Sequence, residues 1–281
     1  MTAVSASLPA RRRVAETMAC DASPEAGPDS LRTPSFRLDG RRALVVGASR
    51  GIGLAAAHAL SQAGAEVTLV ARCAEDLERV AHALREQGGQ AEPLVLDVTD
   101  PVAVRHALAD RAPYQVLLNS AGTNRPGLLR DLQDADLDAV TDLNIKAAFY
   151  LSREVAGRLV EAGLPGSIIH VSSQMGHVGG PRRTVYCATK HALEGLCKAL
   201  AWELGPSGIR VNTLCPTFIE TELTRPMLAD RAFRDYVQSR IALGRIGRVQ
   251  DVMGAVVFLA SDASALVTGS ALMVDGGWTA A

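Results

Sequence analysis

The sequence predicts an α/β fold: a single domain built on a doubly wound, parallel, seven-stranded sheet with helices on both faces. Three observations predict it. Short apolar runs of strand length alternate with helical stretches from residue 43 to residue 274, the pattern of parallel βαβ units. The first run, Ala43-Leu-Val-Val46, leads directly into Gly47-Ala-Ser49-Arg50-Gly51-Ile52-Gly53 and then into the helix-forming Leu54-Ala-Ala-Ala. Finally, 281 residues of which 48% are hydrophobic suffice for a sizeable core in one domain. Only 4% are aromatic, so that core is expected to consist of Ala, Val, Leu and Ile.

Taken in order, residues 1–35 stand apart. Arg11, Arg12, Arg13 and Arg32 are balanced by Glu16, Asp21, Glu25 and Asp29 among scattered Ser, Pro and Ala. No apolar core of a secretory signal is present. The segment reads as a disordered extension or as the product of a start codon set too far upstream, and the domain proper as residues 36–281. Strand 43–47 ends in the glycine turn. Glycines allow a tight turn and a close approach of backbone to a pyrophosphate, while the following helix N-terminus offers free N–H groups. Strand 66–71 ends in Ala71-Arg72, strand 92–97 in Asp97-Val98, and strand 115–119 in Asn119-Ser-Ala121-Gly122. A long helix over about 137–160 carries Asn144.

Strand 167–172 runs into Ser173, and Tyr186 follows thirteen residues later, with Lys190 four residues beyond it. That four-residue spacing puts phenol and ammonium on one helix face, one turn apart. A nearby ammonium favours the phenolate, so the tyrosine can trade protons below its ordinary range. Strand 209–214 leads to Cys215-Pro216-Thr-Phe-Ile219-Glu-Thr221, and strand 271–274 to Asp275-Gly-Gly277. In a doubly wound sheet, ligands bind beyond the carboxyl ends of the strands. The motifs are therefore expected to converge on one site.

Together these motifs resemble the short-chain dehydrogenase/reductase family, in its compact single-domain, Rossmann-type branch. The resemblance runs from about Phe36 to Trp278. Two departures are visible: Val46 stands where the family often has threonine, and Ser120 where it often has a second asparagine. The resemblance implies a carbonyl–alcohol oxidoreductase in which Tyr186 is the acid and base. It further implies that Lys190 lowers the tyrosine's pKa and bonds the nicotinamide ribose. Ser173 would donate to the substrate oxygen, and Asn144 would link Lys190 through water to a proton relay. It implies that Gly47, Ser49, Arg50, Gly51, Ile52, Gly53, Asp97, Val98, Asn119, Ala121 and Gly122 hold the cofactor with Tyr186 and Lys190. Pro216, Ile219 and Thr221 would hold the nicotinamide ring. Among family members the chain is similar to gluconate and sugar dehydrogenases and to 3-oxoacyl-carrier-protein reductases. A sugar acid, polyol or 3-oxoacyl thioester is the implied substrate class. The alternative is a catalytically silent, NADP(H)-binding sensor or scaffold.

Charge at the second strand end bears on the cofactor. A site that selects NAD places an acid about 20 residues past the glycines, on the ribose 2′-hydroxyl. Here Arg72 occupies that strand end and no carboxylate does. With Arg50 it would attract a 2′-phosphate, which favours NADP(H) over NAD(H).

Other classes find no support. A net charge of −1 gives no bulk attraction to nucleic acid or anionic membrane. No apolar run reaches the ~18 residues of a membrane span. The cysteines, at 20, 73, 187, 197 and 215, form no Cys-x-x-Cys and fit a reducing, cytoplasmic setting. The histidines at 58, 82, 106, 170, 177 and 191 show no ligand spacing with acids or cysteines, so no metal is expected.

Two helices are apolar on both sides. Tyr186, Lys190, Leu193, Cys197, Leu200 and Leu204 line one face of theirs, and Ala188, Gly195, Ala199 and Trp202 the other. In the helix over 137–160, Val140, Ala147 and Leu151 face away from Ile145, Phe149 and Ala156. Burial on both sides calls for a second subunit, a dimer or tetramer as the family forms. Residues Gly176–Arg183 are expected to wall the substrate pocket, and the segment from Pro216 to Gly247 to cover it. On that wall Arg182 and Arg183 either meet solvent or a neighbouring subunit or, with His177, receive a substrate carboxylate.

Overall fold

Residues 31–280 are described by the computed structural model; most of the expected N-terminal extension, residues 1–30, lies outside them. The residues from Ser35 onward form one compact unit. Seven strands make its sheet: β1 (Arg42–Val46), β2 (Glu66–Ala71), β3 (Gln90–Val95), β4 (Val116–Asn119), β5 (Gly166–Val171), β6 (Ile209–Pro216) and β7 (Ala271–Val274). All pair in parallel, in the order β3-β2-β1-β4-β5-β6-β7. The chain winds outward from β1 to β3, then returns to β4 and winds the other way. Between β1 and β4 the order reverses, and the loops leaving those two strands part there.

Alternation along β1 divides its side chains between two cores. Ala43 and Val45 join the layer under α1 (Gly51–Gln62), α2 (Ala74–Glu86) and α9 (Gln250–Ala260). Leu44 and Val46 join the layer under α3 (Pro101–Ala109), α5 (Ala147–Ala162) and α6 (Thr184–Leu204). Local chemistry sets several helix starts. At α3, Asp100 accepts from the N–H groups of Val102 (2.8 Å) and Ala103 (3.0 Å), and Pro101 takes the first turn. A third, smaller core of Leu228, Val237, Ile241, Ile246 and Trp278 lies beneath α7 (Arg225–Leu228) and α8 (Arg231–Ser239). Phe218, Phe233 and Tyr236 stack there around Trp278, so the covering segment brings an aromatic core of its own.

Two expectations need correction. β3 begins and ends two residues earlier than predicted, so Asp97 lies beyond the strand end rather than at it. As the edge strand, β3 pairs only with β2 and tolerates Pro93, whose missing N–H faces no partner strand. The helix expected over 137–160 is α4 (Asp134–Thr141), a π turn over Asp142–Lys146, and α5. The extra residue of that turn shifts the helix face. Within α5, Ala156, expected on the side away from Leu151, is buried together with Leu151 and Val155, while Phe149 on that side stays 46% exposed. On α6 the predicted inner face is turned inward, and Trp202 on the outer face is 87% exposed.

Candidate active site

Four strand ends and one helix build the site. After β1, Gly47 turns with φ +78° and Gly51 with φ +58°, conformations that disfavour a side chain. A Cβ on Gly47 would lie 3.0 Å from the Ala121 amide nitrogen, so the turn after β1 is pressed against the loop after β4. Asn119 Oδ1 accepts from the Ala121 N–H at 3.1 Å and shapes that loop. Behind it lies His170, wholly buried on β5. Its Nδ1 faces Asn119 Nδ2 at 3.3 Å and its Nε2 faces Ser152 Oγ at 2.9 Å. Because Ser152 donates its proton to the Ala148 carbonyl (2.8 Å), Nε2 is left as the donor to Ser152, and the ring is neutral. Burial, with the Lys190 charge as a lesser cause, pushes its pKa down to about 3.

Asn144 sits in the π turn, a distortion often found at functional sites. Its Oδ1 accepts from the Thr123 N–H (2.9 Å), and its Nδ2 donates to the Thr123 carbonyl (3.1 Å) and to Thr189 Oγ1 (3.0 Å). Thr189 in turn donates to the Tyr186 carbonyl at 2.9 Å. The asparagine thus ties the loop after β4 to the first turns of α6. Lys190 is buried and donates from Nζ to the Val171 carbonyl at the end of β5 (2.9 Å). Burial lowers its pKa to about 8, with Cys215 and Glu194 nearby as the opposing influences. A Cβ on Gly122 would lie 3.3 Å from Asn144 Oδ1 and 3.7 Å from Lys190 Nζ. The bare glycine therefore leaves this corner open.

Lys190 Nζ lies 5.6 Å from the Tyr186 ring centroid. The expectation that the lysine depresses the phenol does not hold in this arrangement. Burial dominates and raises the Tyr186 pKa, with the Ser173 hydroxyl and the Arg183 charge opposing it. The Ser173 hydroxyl, just past β5, donates to Gln174 Oε1 at 2.7 Å and accepts from the Met175 N–H at 3.1 Å. On the far side, Pro216 ends β6 and the buried Ile219 pairs with Gly247 in a parallel bridge. Thr221 closes on the glycine turn, its Cγ2 standing 3.5 Å from where a Gly51 Cβ would be.

A match to a family model described as enoyl-(acyl carrier protein) reductase extends over residues 47–279. D-Erythrulose reductase of Gallus gallus is 42% identical over 248 residues, covering 87% of this chain and 98% of that protein. The chain is a short-chain dehydrogenase/reductase. Gluconate 5-dehydrogenase of Gluconobacter oxydans (strain 621H) is 40% identical over 87% of this chain and 96% of its own. In three dimensions the chain is similar to a gluconate 5-dehydrogenase from Burkholderia cenocepacia J2315, crystallised in complex with NADP and tartrate. That match has a TM-score of 0.85 and 38% identity, over 88% of this chain and 98% of that one. As a short-chain dehydrogenase/reductase the chain is an NAD(P)-dependent oxidoreductase on a Rossmann-like, single-domain fold.

This family's nucleotide fits the residues present. The glycine turn has no room for side chains, since a Gly53 Cβ would lie 2.1 Å from the Gly47 carbonyl oxygen. Thr217 Oγ1, next to Pro216, is buried with no hydrogen-bond partner among the described residues, and so has a donor to offer. At the other end Arg72 is exposed past β2. Asp97 beyond β3 is held below the usual carboxylate range by Thr99, then by the Arg72 charge. Arg50 is not free in this short-chain dehydrogenase/reductase: its Nη1 lies 3.6 Å from Glu222 Oε2. Both side chains are largely exposed, so the pair is weak and open to competition by a phosphate. Val98 is buried, and Ser49 and Ile52 flank the turn as expected.

Spacing did not show everything that gathers here. Thr123, Thr189, His170 and Gln174 are placed by tertiary contacts, with no signal of their own in the sequence. The histidines show no ligand spacing along the sequence, yet the fold brings one of them to an acid and a cysteine. His177 Nε2, Glu194 Oε1 and Cys215 Sγ lie within 3.4–3.6 Å of one another. Glu194 also accepts from Thr213 Oγ1 at 2.8 Å, and burial pushes the Cys215 thiol up to about 12. The thiol therefore keeps its proton at neutral pH and donates it to the Glu194 side chain.

Proposed function

We propose that this chain interconverts ketones and secondary alcohols of polyhydroxylated compounds (sugars, polyols or sugar acids), with NADP(H) preferred over NAD(H). One observation carries the reading: a phenol, a buried amine, a serine hydroxyl and an asparagine converge beyond β4 and β5, beside a glycine turn shaped for a pyrophosphate. The relatives named above, an erythrulose reductase and a gluconate 5-dehydrogenase, support the substrate class.

When bound, the nicotinamide supplies or accepts the hydride. Everything else falls to the protein. Tyr186 gives its proton to the substrate oxygen in reduction and takes it back in oxidation. Ser173 turns its hydroxyl from Gln174 to that oxygen and stabilises the charge building on it. Lys190, with a pKa near the working pH, restores the tyrosine's proton, and Asn144 connects it to solvent through water. Gly47, Ser49, Gly51, Ile52, Gly53, Asn119, Ala121 and Gly122 cradle the nucleotide, Asp97 and Val98 flank its adenine, and Pro216, Ile219 and Thr221 back its nicotinamide. Arg72 and Arg50 supply charge for the 2′-phosphate.

The test is oxidation of NADPH and NADH against erythrulose, L-xylulose, 5-keto-D-gluconate and an acetoacetyl thioester. Turnover with NADPH on the hydroxyketones is expected to exceed that with NADH. Arg72→Ala should erode that advantage by ~10-fold, the worth of one charge-assisted hydrogen bond. A wild-type preference for NADH would overturn the cofactor reading, and equal losses on both cofactors would remove Arg72 as its reader.

The outer faces of α5 and α6, with Phe149 46%, Val160 48% and Trp202 87% exposed, support a homo-oligomer assembled through these helices. Its mass in solution is expected to be a multiple of 29.6 kDa. A monomer at micromolar concentration would remove that assembly. Cys73, Cys187, Cys197 and Cys215 are free thiols, which fits a cytoplasmic setting, and no helix among the described residues is long and apolar enough to cross a membrane.

A further inference from the structure

We propose that Arg183 selects the substrate, receiving the carboxylate of a polyhydroxy oxo acid bound between the start of α6 and α7; this rests on the oxidoreductase reading above. The side chain is only 7% exposed. Among the described residues its single hydrogen-bond contact runs from Nη2 to the Met227 sulfur at 3.2 Å, and no carboxylate pairs with it. A thioether is a weak acceptor, and a guanidinium keeps its charge at neutral pH with most of its N–H donors unspent. Buried charge without a counter-charge is strongly unfavourable. An arginine in that state, beside a reaction centre, provides for an anion that arrives with the substrate.

Its placement is specific. Arg183 is the N-cap of α6, three residues before Tyr186 and so on the same side of the helix. Its charge reaches the phenol, as the opposing influence on the Tyr186 pKa shows. Met227, its partner, lies on α7 in the segment that covers the site. Arg182 just before it holds φ +59°, the one positive φ outside glycine among the described residues. Its carbonyl accepts from the Gly127 N–H at 3.2 Å. That backbone conformation, unfavourable for a side-chain-bearing residue, turns Arg183 inward. On the pocket wall, a Cβ at Gly180 would lie 2.9 Å from Met175 Cε and 3.5 Å from Arg183 Cγ, so the glycine keeps room for the arginine stem. The expectation that this arginine meets solvent is overturned by its burial. His177, expected beside it, turns instead to Glu194 and Cys215. The cofactor's phosphates belong to the glycine turn before α1, a different element from the start of α6 that carries Arg183.

The test compares 5-keto-D-gluconate with L-sorbose, which carries CH2OH in place of the carboxylate. The wild type is expected to favour the acid in kcat/KM. In Arg183→Met the acid-to-neutral ratio should fall by ~10–100-fold, the range of a charge-assisted pair, mostly through KM, with Arg183→Lys recovering part of it. A wild-type preference for L-sorbose, or an unchanged ratio in Arg183→Met, would overturn the proposal. Calorimetric titration of the NADPH complex with D-gluconate and D-glucitol gives a second readout that needs no turnover. Gluconate should bind more tightly than glucitol, and Arg183→Met should abolish the difference. Equal binding of the two in the wild type would overturn the proposal. Failure to turn over any carbonyl would instead sink the oxidoreductase reading and leave the titration to decide the role of Arg183.

Discussion

Tyr186→Phe is expected to lower the rate of carbonyl reduction by ~10²–10⁴-fold, the usual contribution of a positioned proton donor. The ring stays, so the packing around it stays, and only the hydroxyl is removed. The phenol is the group placed to give up a proton: Ser173 stands beside it, and Thr189 hydrogen-bonds its carbonyl and, through Asn144, the loop after β4. Burial raises its pKa, which keeps the proton in place until a substrate oxygen needs it. NADPH affinity should change little, because the glycine turn and the strand ends are untouched. Stopped-flow single turnovers with a fluorescence titration of NADPH separate the two quantities. A loss below about tenfold would mean that another group protonates the substrate.

Gly53→Ala should remove most cofactor affinity. The added Cβ would lie 2.1 Å from the Gly47 carbonyl oxygen, 2.7 Å from its carbon and 3.3 Å from the Ala48 nitrogen. All three are backbone atoms of the turn itself, so no side chain can swing aside. Either α1 retreats or the turn opens, and both enlarge the cradle for the pyrophosphate. Overpacking of this kind costs about 1–3 kcal/mol, and a displaced turn adds the loss of its aligned N–H donors. An NADPH Kd raised by ~100-fold or more is expected, together with a lower Tm. Gly254→Ala on α9 is the control: a Cβ there meets nothing within 4 Å, and alanine in an open helix position is neutral or stabilising. Equal Kd values for Gly53→Ala and wild type would mean that the turn does not hold the nucleotide.

Much of this site was legible in advance because of what a parallel sheet does to a chain. Every strand in it runs the same way, so all strand carboxyl ends lie along one edge. Residues just past apolar runs, such as Gly47, Asn119, Ser173 and Pro216, therefore converge however far apart they stand in sequence. The Tyr186–Lys190 pair was legible for a local reason, since helix pitch alone puts residues four apart on one side.

Less visible were features set by contacts between distant segments. Nothing in residues 134–162 announces a π turn; the turn is held where Asn144 reaches across to Thr123 and Thr189. Likewise Glu194, which carries no signal of its own in the sequence, meets His177 and Cys215 only because α6 docks on β6. β3 ends at Val95, opposite the last residue of its one partner strand, Ala71, and that pairing leaves Asp97 beyond the strand.

By itself, then, the sequence determined the seven strands, their parallel sense and the residues gathered at their ends, because hydrophobic periodicity and backbone chemistry are local properties. Only the tertiary structure decided the partners. It buried Arg183 without a counter-charge, held His170 neutral behind Asn119, and set Lys190 against the Val171 carbonyl. Charge, burial and hydrogen bonding depend on what the fold brings close, and that is settled by the packing of elements far apart along the chain.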